Sequence, residues 1–105
     1  MPYGTWINDL PTWFFMTVHI AAFAIAVYFA WVAVDRHTPV LASGFGLYAL
    51  AEVSYMTYHL DWTVFLFAHT ISEVLDLVAF VCVFAGAVLQ VRSLGRREAV
   101  ALEAS

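Results

Sequence analysis

Two histidines and three carboxylates stand inside otherwise apolar stretches of this 105-residue chain: His19, Glu52, His69, Glu73 and Asp76. An ionisable group carried into hydrocarbon costs about 2.5–3.5 kcal/mol even on lenient insertion scales, so five in so short a chain point to a function. Neutral imidazole together with carboxylate is the ligand mixture of iron, copper, zinc and manganese centres. His69 and Glu73 are four residues apart, on consecutive turns of one helix face. With His19 and Glu52 they make the four donors a tetrahedral ion needs. The chain has no lysine, and its four arginines (Arg36, Arg92, Arg96, Arg97) fall outside the apolar runs. Carboxylates packed together in low dielectric cannot all ionise unpaired, so either a metal ion or protons must neutralise them.

The elements that position these groups are three helices. Thr12 to Val34 carries no charge, and its 23 residues reach about 34 Å at 1.5 Å per residue, enough to cross a bilayer. Asp9 is the expected cap at its start, with Pro11 close to the first helical position. Asp35-Arg36-His37-Thr38 interrupts the run. Thr38-Pro39 then repeats the cap-plus-proline start for a second helix over 39–59. Asp61 is the expected cap of a third over 62–91, so the turn between helices two and three is short and makes them antiparallel neighbours. The expected fold is an all-α integral membrane protein, a three-transmembrane-helix bundle over 12–92. A short outer segment, 1–11, precedes it, and a cytoplasmic tail, 93–105, follows it.

Composition agrees. Hydrophobic residues make up 64% of the chain, charged residues 11%, and the mean hydropathy is +0.85. Soluble domains are typically about 45–50% apolar and about 25% charged. With no basic patch and no soluble domain, nucleic acid is excluded as a partner. The single Cys82 has no internal disulfide partner and reads as a packing residue. Met1–Pro11 lacks the basic start of a secretory signal, so the N-terminus is expected to be retained.

Topology follows from the arginines. The Arg36 loop and the arginine-bearing tail lie on one side, cytoplasmic by the positive-inside rule, giving N-out/C-in in what the reading takes as a prokaryotic cytoplasmic membrane. Trp6, Trp13, Tyr55, Tyr58 and Trp62 would form the outer aromatic belt. His19 is seven residues past Thr12, His69 seven past Trp62, and Glu52 seven before His59, placing all three about 10 Å below the outer boundary. Glu73 lies one turn deeper and Asp76 deeper still. Residues three and four apart share a face, so Tyr48, Glu52, Tyr55 and His59 form one stripe and His69, Ser72, Glu73 and Asp76 another. His19 shares its face with Ala22, Ala26, Ala30 and Ala33, a small-residue seam.

The reading this supports is a small membrane metal-binding protein. Its expected ligands are His19, Glu52, His69 and Glu73, with His59, Asp76 and Tyr55 as orienting or alternate groups. It would be a small metalloenzyme or a subunit of a redox or oxygenase complex. Two alternatives use the same residues. His19 and His69, on different helices at matching depth, could ligate a b-type haem in an electron-transfer or quinone-site anchor. The carboxylates could instead handle protons in a non-catalytic or assembly subunit. A through-membrane path is disfavoured, since below Asp76 the third helix reads Leu-Val-Ala-Phe-Val-Cys-Val-Phe. Three helices shield a central site thinly, so a homo-oligomer or a larger membrane complex is expected. Lateral access from the lipid bilayer could admit a quinone or apolar substrate. Ser43, Gly44 and Gly46, with Ala85, Gly86 and Ala87, are the expected close-contact surfaces.

Overall fold

A computed structural model describes residues 4–104. A short 3-10 helix, Thr5–Asp9, leads into α1 (Thr12–Asp35), α2 (Pro39–His59) and α3 (Phe65–Ala104), and no strand occurs among the described residues. α1 and α3 are long and apolar enough to cross a membrane, with mean hydropathies of 2.0 and 2.4 over their most apolar stretches. Only 11% of each stretch is buried within the protein. A helix apolar all round that is not buried by its own chain suits hydrocarbon as its solvent. Leu77, Val81 and Phe84 on α3 and Ile20, Val27 and Tyr28 on α1 are all exposed.

α2 is the middle of the bundle. α1 packs on one side of it and α3 on the other, and the backbones of α1 and α3 do not approach one another. Tyr55 meets His69, Ala51 meets Ser72 and Gly44 meets Val83, so α3 runs antiparallel to α2. His19 meets Glu52 and Phe29 meets Phe45, so α1 does as well. The core is almost entirely alanine: Ala26, Ala33, Ala49, Ala51, Ala68 and Ala79 are its buried apolar residues. Small side chains let the helices approach closely, and Gly44 and Gly86 do so most. A Cβ on Gly44 would lie 2.7 Å from Val83 Cγ2, and one on Gly86 would lie 2.6 Å from Leu41 Cγ. These two expected contact glycines are therefore used inside the chain, between α2 and α3. Gly46, by contrast, faces open space.

Both turns close in the same way. His37 (φ 58) and Asp61 (φ 64) sit in the left-handed region just past the ends of α1 and α2. His37 N–H donates to Val34 O and Thr38 N–H to Ala33 O. Asp61 N–H donates to Tyr58 O and Trp62 N–H to Thr57 O, the same pair of bonds. This arrangement satisfies the last carbonyls of a helix.

It also corrects the expected start of α3. Asp61 ends α2 instead of capping α3, and the chain continues through Trp62–Val64 before α3 begins at Phe65. Thr38 is the cap residue of α2 and Pro39 its first helical residue, but the Thr38 hydroxyl donates back to Ala33 O at 2.8 Å. Asp9 ends the 3-10 helix, and Pro11 stands at the cap position of α1. The tail does not break at Ser93: α3 runs on to Ala104, about 60 Å at 1.5 Å per residue. It sets the 65 Å long dimension of the molecule.

Candidate functional site

α2 supplies the central strip of the site. Tyr48, Glu52, Tyr55 and His59 recur at spacings of four, three and four, which keeps them on one helix face. Their side chains divide between the two flanking helices. Glu52, one of two buried polar residues among the described residues, pairs with α1: its Oε2 and His19 Nδ1 share a hydrogen bond of 2.5 Å, with 12% and 16% of the two side chains exposed. Tyr55 pairs with α3, its hydroxyl lying 3.2 Å from His69 Nδ1. The Tyr55 ring also stacks on His19, with centroids 5.4 Å apart and 14° between planes. One tyrosine therefore joins the two pairs into a network touching all three helices.

Aromatic rings wall the network. His59, at the end of α2, lies 5.1 Å from the His19 ring and stacks on Phe15 at 4.7 Å. Phe65, in the first turn of α3, stacks on His69 at 5.2 Å. Flat rings around an imidazole hold its orientation and keep competing water away from its hydrogen bond. Beneath them Ser72, fully buried, donates to Ala51 O at 3.0 Å and ties α3 to α2 at the level of Glu52.

The later start of α3 changes the register. His69 meets Tyr55, one turn nearer the end of α2 than Glu52, so His19 and Glu52 share a level and His69 does not. Glu73 is beside Tyr55 but lies on an exposed part of α3. Asp76, three residues on, is close enough to Glu52 and Glu73 to interact with their charges. Its Oδ1 is buried without a hydrogen-bond partner among the described residues. The hydroxyl of Tyr48, which the sequence marks only as part of the stripe, lies beside Glu52.

The structure thus brings His19 and Glu52 together, and links His69 to them through Tyr55. It does not gather His19, Glu52, His69 and Glu73 around one point. Among the described residues, no three His, Cys, Asp or Glu side chains converge as a metal ion would require. What the arrangement can do as placed is hold and exchange protons: an imidazole against a carboxyl, and an imidazole against a phenol. Each imidazole is engaged through Nδ1, and no hydrogen bond to either Nε2 occurs among the described residues. Compared with protein-family models, with curated proteins and with solved structures, the chain shows no match.

Proposed function

We propose that this chain is a three-span membrane subunit whose His19–Glu52 and Tyr55–His69 pairs form a proton-handling network in the outer half of the bilayer. The observation that carries the reading is the direct contact of His19 with Glu52 across the α1–α2 interface. An imidazole and a carboxyl at hydrogen-bond distance are groups between which a proton can pass directly. His59, against the His19 ring and at the end of α2, connects this pair to the aqueous boundary.

Several observations support the membrane arrangement. α2 has 21 residues, about 31 Å of helix, and its polar side chains turn toward α1 and α3. The antiparallel order sets Arg36, Arg92, Arg96 and Arg97 toward one end of the bundle, with Trp6, Trp13 and Trp62 toward the other. By the charge rule the arginine end is cytoplasmic and the N-terminus outside. Glu73 is uncovered by its own chain, which favours a second copy or another membrane subunit against that face of α3.

A second reading keeps the imidazoles as cofactor ligands. Histidines that bind a metal commonly engage the other ring nitrogen with a carboxylate or similar group, as His19 Nδ1 does with Glu52 and His69 Nδ1 with Tyr55. The two Nε2 atoms would then take a transition-metal ion or a b-type haem, with displacement of the Tyr55 ring that stacks on His19.

One preparation separates the readings. The full chain in lipid nanodiscs is titrated with pH by infrared difference spectroscopy and assayed for bound metal and haem. The proton reading expects a carboxyl band that disappears in Glu52→Gln and shifts in His19→Phe, with no stoichiometric metal. Stoichiometric metal or a haem absorption band, lost in both His19→Ala and His69→Ala, would replace it with the cofactor reading. A Glu52 band that never changes with pH would sink the proton reading outright.

A further inference from the structure

Because α1 and α3 pack on α2 without meeting, they leave a slot between them. Its volume is about 420 Å³. α2 forms the floor with Gly44, Phe45 and Tyr48, while Ala22 and Phe29 of α1 and Asp76 and Phe80 of α3 stand on the walls. Small-molecule sites typically measure about 300–1,000 Å³, are lined by apolar and aromatic groups, and carry a few polar ones that fix orientation. This slot has that character. Three phenylalanines line it, and among the described residues its polar side chains are Tyr48 and Asp76.

Asp76 marks the slot as a place that expects a visitor. Its Oδ1 is removed from solvent and unpaired, although a buried polar atom without a hydrogen bond costs about 1–3 kcal/mol. The chain's own apolar segments contain no lysine or arginine to pair with it, and a second copy would bring none either. The missing partner is a hydrogen-bonding group that arrives from outside. It must reach the slot sideways between α1 and α3, through the apolar surface both helices present. A molecule that fits is lipid-soluble, has a flat ring to lie among Phe29, Phe45 and Phe80, and carries a hydroxyl on that ring to donate to the carboxylate.

We infer that the slot between α1 and α3 binds a quinol of the isoprenoid class, with a ring hydroxyl donating to Asp76 beside Tyr48 and its tail leaving sideways into lipid. This does not rest on the proton network, because binding is measured without titrating any group. No redox step is assigned.

The test uses the full chain in nanodiscs of defined phospholipid, with ubiquinol-1 kept anaerobic as probe and calorimetry as readout. Saturable binding of about one probe per chain is expected. Asp76→Ala should weaken it about tenfold, as loss of one buried hydrogen bond does. Ala22→Phe, at a half-buried wall position, should fill the slot and abolish binding while circular dichroism shows the helices intact. A non-saturating partition isotherm would overturn the inference. So would wild-type affinity in both folded variants, or equal displacement of the probe by dodecane, which would make the slot a groove for acyl chains. If Ala22→Phe does not fold, Asp76→Ala decides alone.

Discussion

The two ends of α2 are held by opposite means. Each begins or finishes at a turn closed by a residue in the left-handed region, His37 at one end and Asp61 at the other, with the same pair of backbone bonds. Beyond the turns the resemblance stops. Near His37, α2 and α3 are pressed together at Gly44 and Gly86, where the Val83 and Leu41 side chains lie directly against the glycine backbones. Near Asp61, the helices are spaced by rings and joined by hydrogen bonds: Glu52 to His19, Tyr55 to His69, Thr57 to Thr63. Close packing is a good lock but offers no group that can change state. The polar end keeps close packing at Ala51, Ala68 and Ser72 and adds groups that can bind or release a proton. The difference teaches that a bundle of this size can fix its geometry at one end and leave chemistry to the other.

The largest effect should come from disturbing the packed end. In Gly44→Ala the new Cβ would meet Val83 Cγ2 at 2.7 Å, Val83 N at 3.0 Å and Ala79 O at 3.1 Å. Two of these are backbone atoms that cannot step aside, so α2 and α3 must separate, at a cost of about 3 kcal/mol. The same change two residues along, Gly46→Ala, meets nothing within 4 Å. It should be neutral or stabilising by about 0.5 kcal/mol through helix propensity. Denaturant titration in detergent, followed by circular dichroism, measures both. Equal effects at the two glycines would mean that the crossing does not lock the bundle.

Disturbing the polar end should cost less. Glu52→Ala leaves His19 Nδ1 without its partner in a site only 16% exposed, a loss of about 2 kcal/mol. His19→Ala should cost a similar amount, and the double variant less than the two together, with a coupling energy of about 1 kcal/mol. Strict additivity in the same denaturation assay would show that the pair does not hold α1 to α2.

The turns offer a change of opposite sign. His37 holds φ at 58, where a side chain costs about 1–2 kcal/mol relative to glycine. His37→Gly should raise the unfolding midpoint, equivalent to about 1 kcal/mol, while Asp61→Gly should gain less, because aspartate tolerates this region better.

Much of the fold was open to reading in the sequence because its punctuation is strong. Pro11, the Asp35-Arg36 break and Pro39 define α1 and the start of α2 to within a residue. Asp61 misled because a short polar side chain suits both a helix cap and the left-handed position after a helix, and only the backbone decides between them. That ambiguity moved α3 by three residues and His69 by nearly a turn. Within the site, the spacing of Tyr48, Glu52, Tyr55 and His59 put them on one face, and the structure keeps them there. Which neighbour each side chain turns to depends on rotation about the helix axis, which spacing does not encode. Glu52 and Tyr55 therefore serve different helices, Glu73 lies exposed, and the slot beside Asp76 arises from a gap between helices distant in sequence.

The smallest and most discriminating change is Tyr55→Phe. It keeps the ring that stacks on His19 and removes only the hydroxyl that meets His69. Hydrogen bonds between helices in a membrane are worth about 0.6 kcal/mol on average, so stability should fall by about that much. The spectroscopic consequence should be larger than the energetic one. If the Tyr55 ring alone links the two pairs, removing the hydroxyl changes the infrared signature of the His69 imidazole and leaves the Glu52 carboxyl band where it was. The Glu52 band moves only when the ring itself is lost, as in Tyr55→Leu, because the ring and not the hydroxyl holds His19 in place. Should Tyr55→Phe shift both signatures equally, the hydroxyl would be the group that couples the pairs. The proton would then be shared across all three helices, not held at the α1–α2 contact alone.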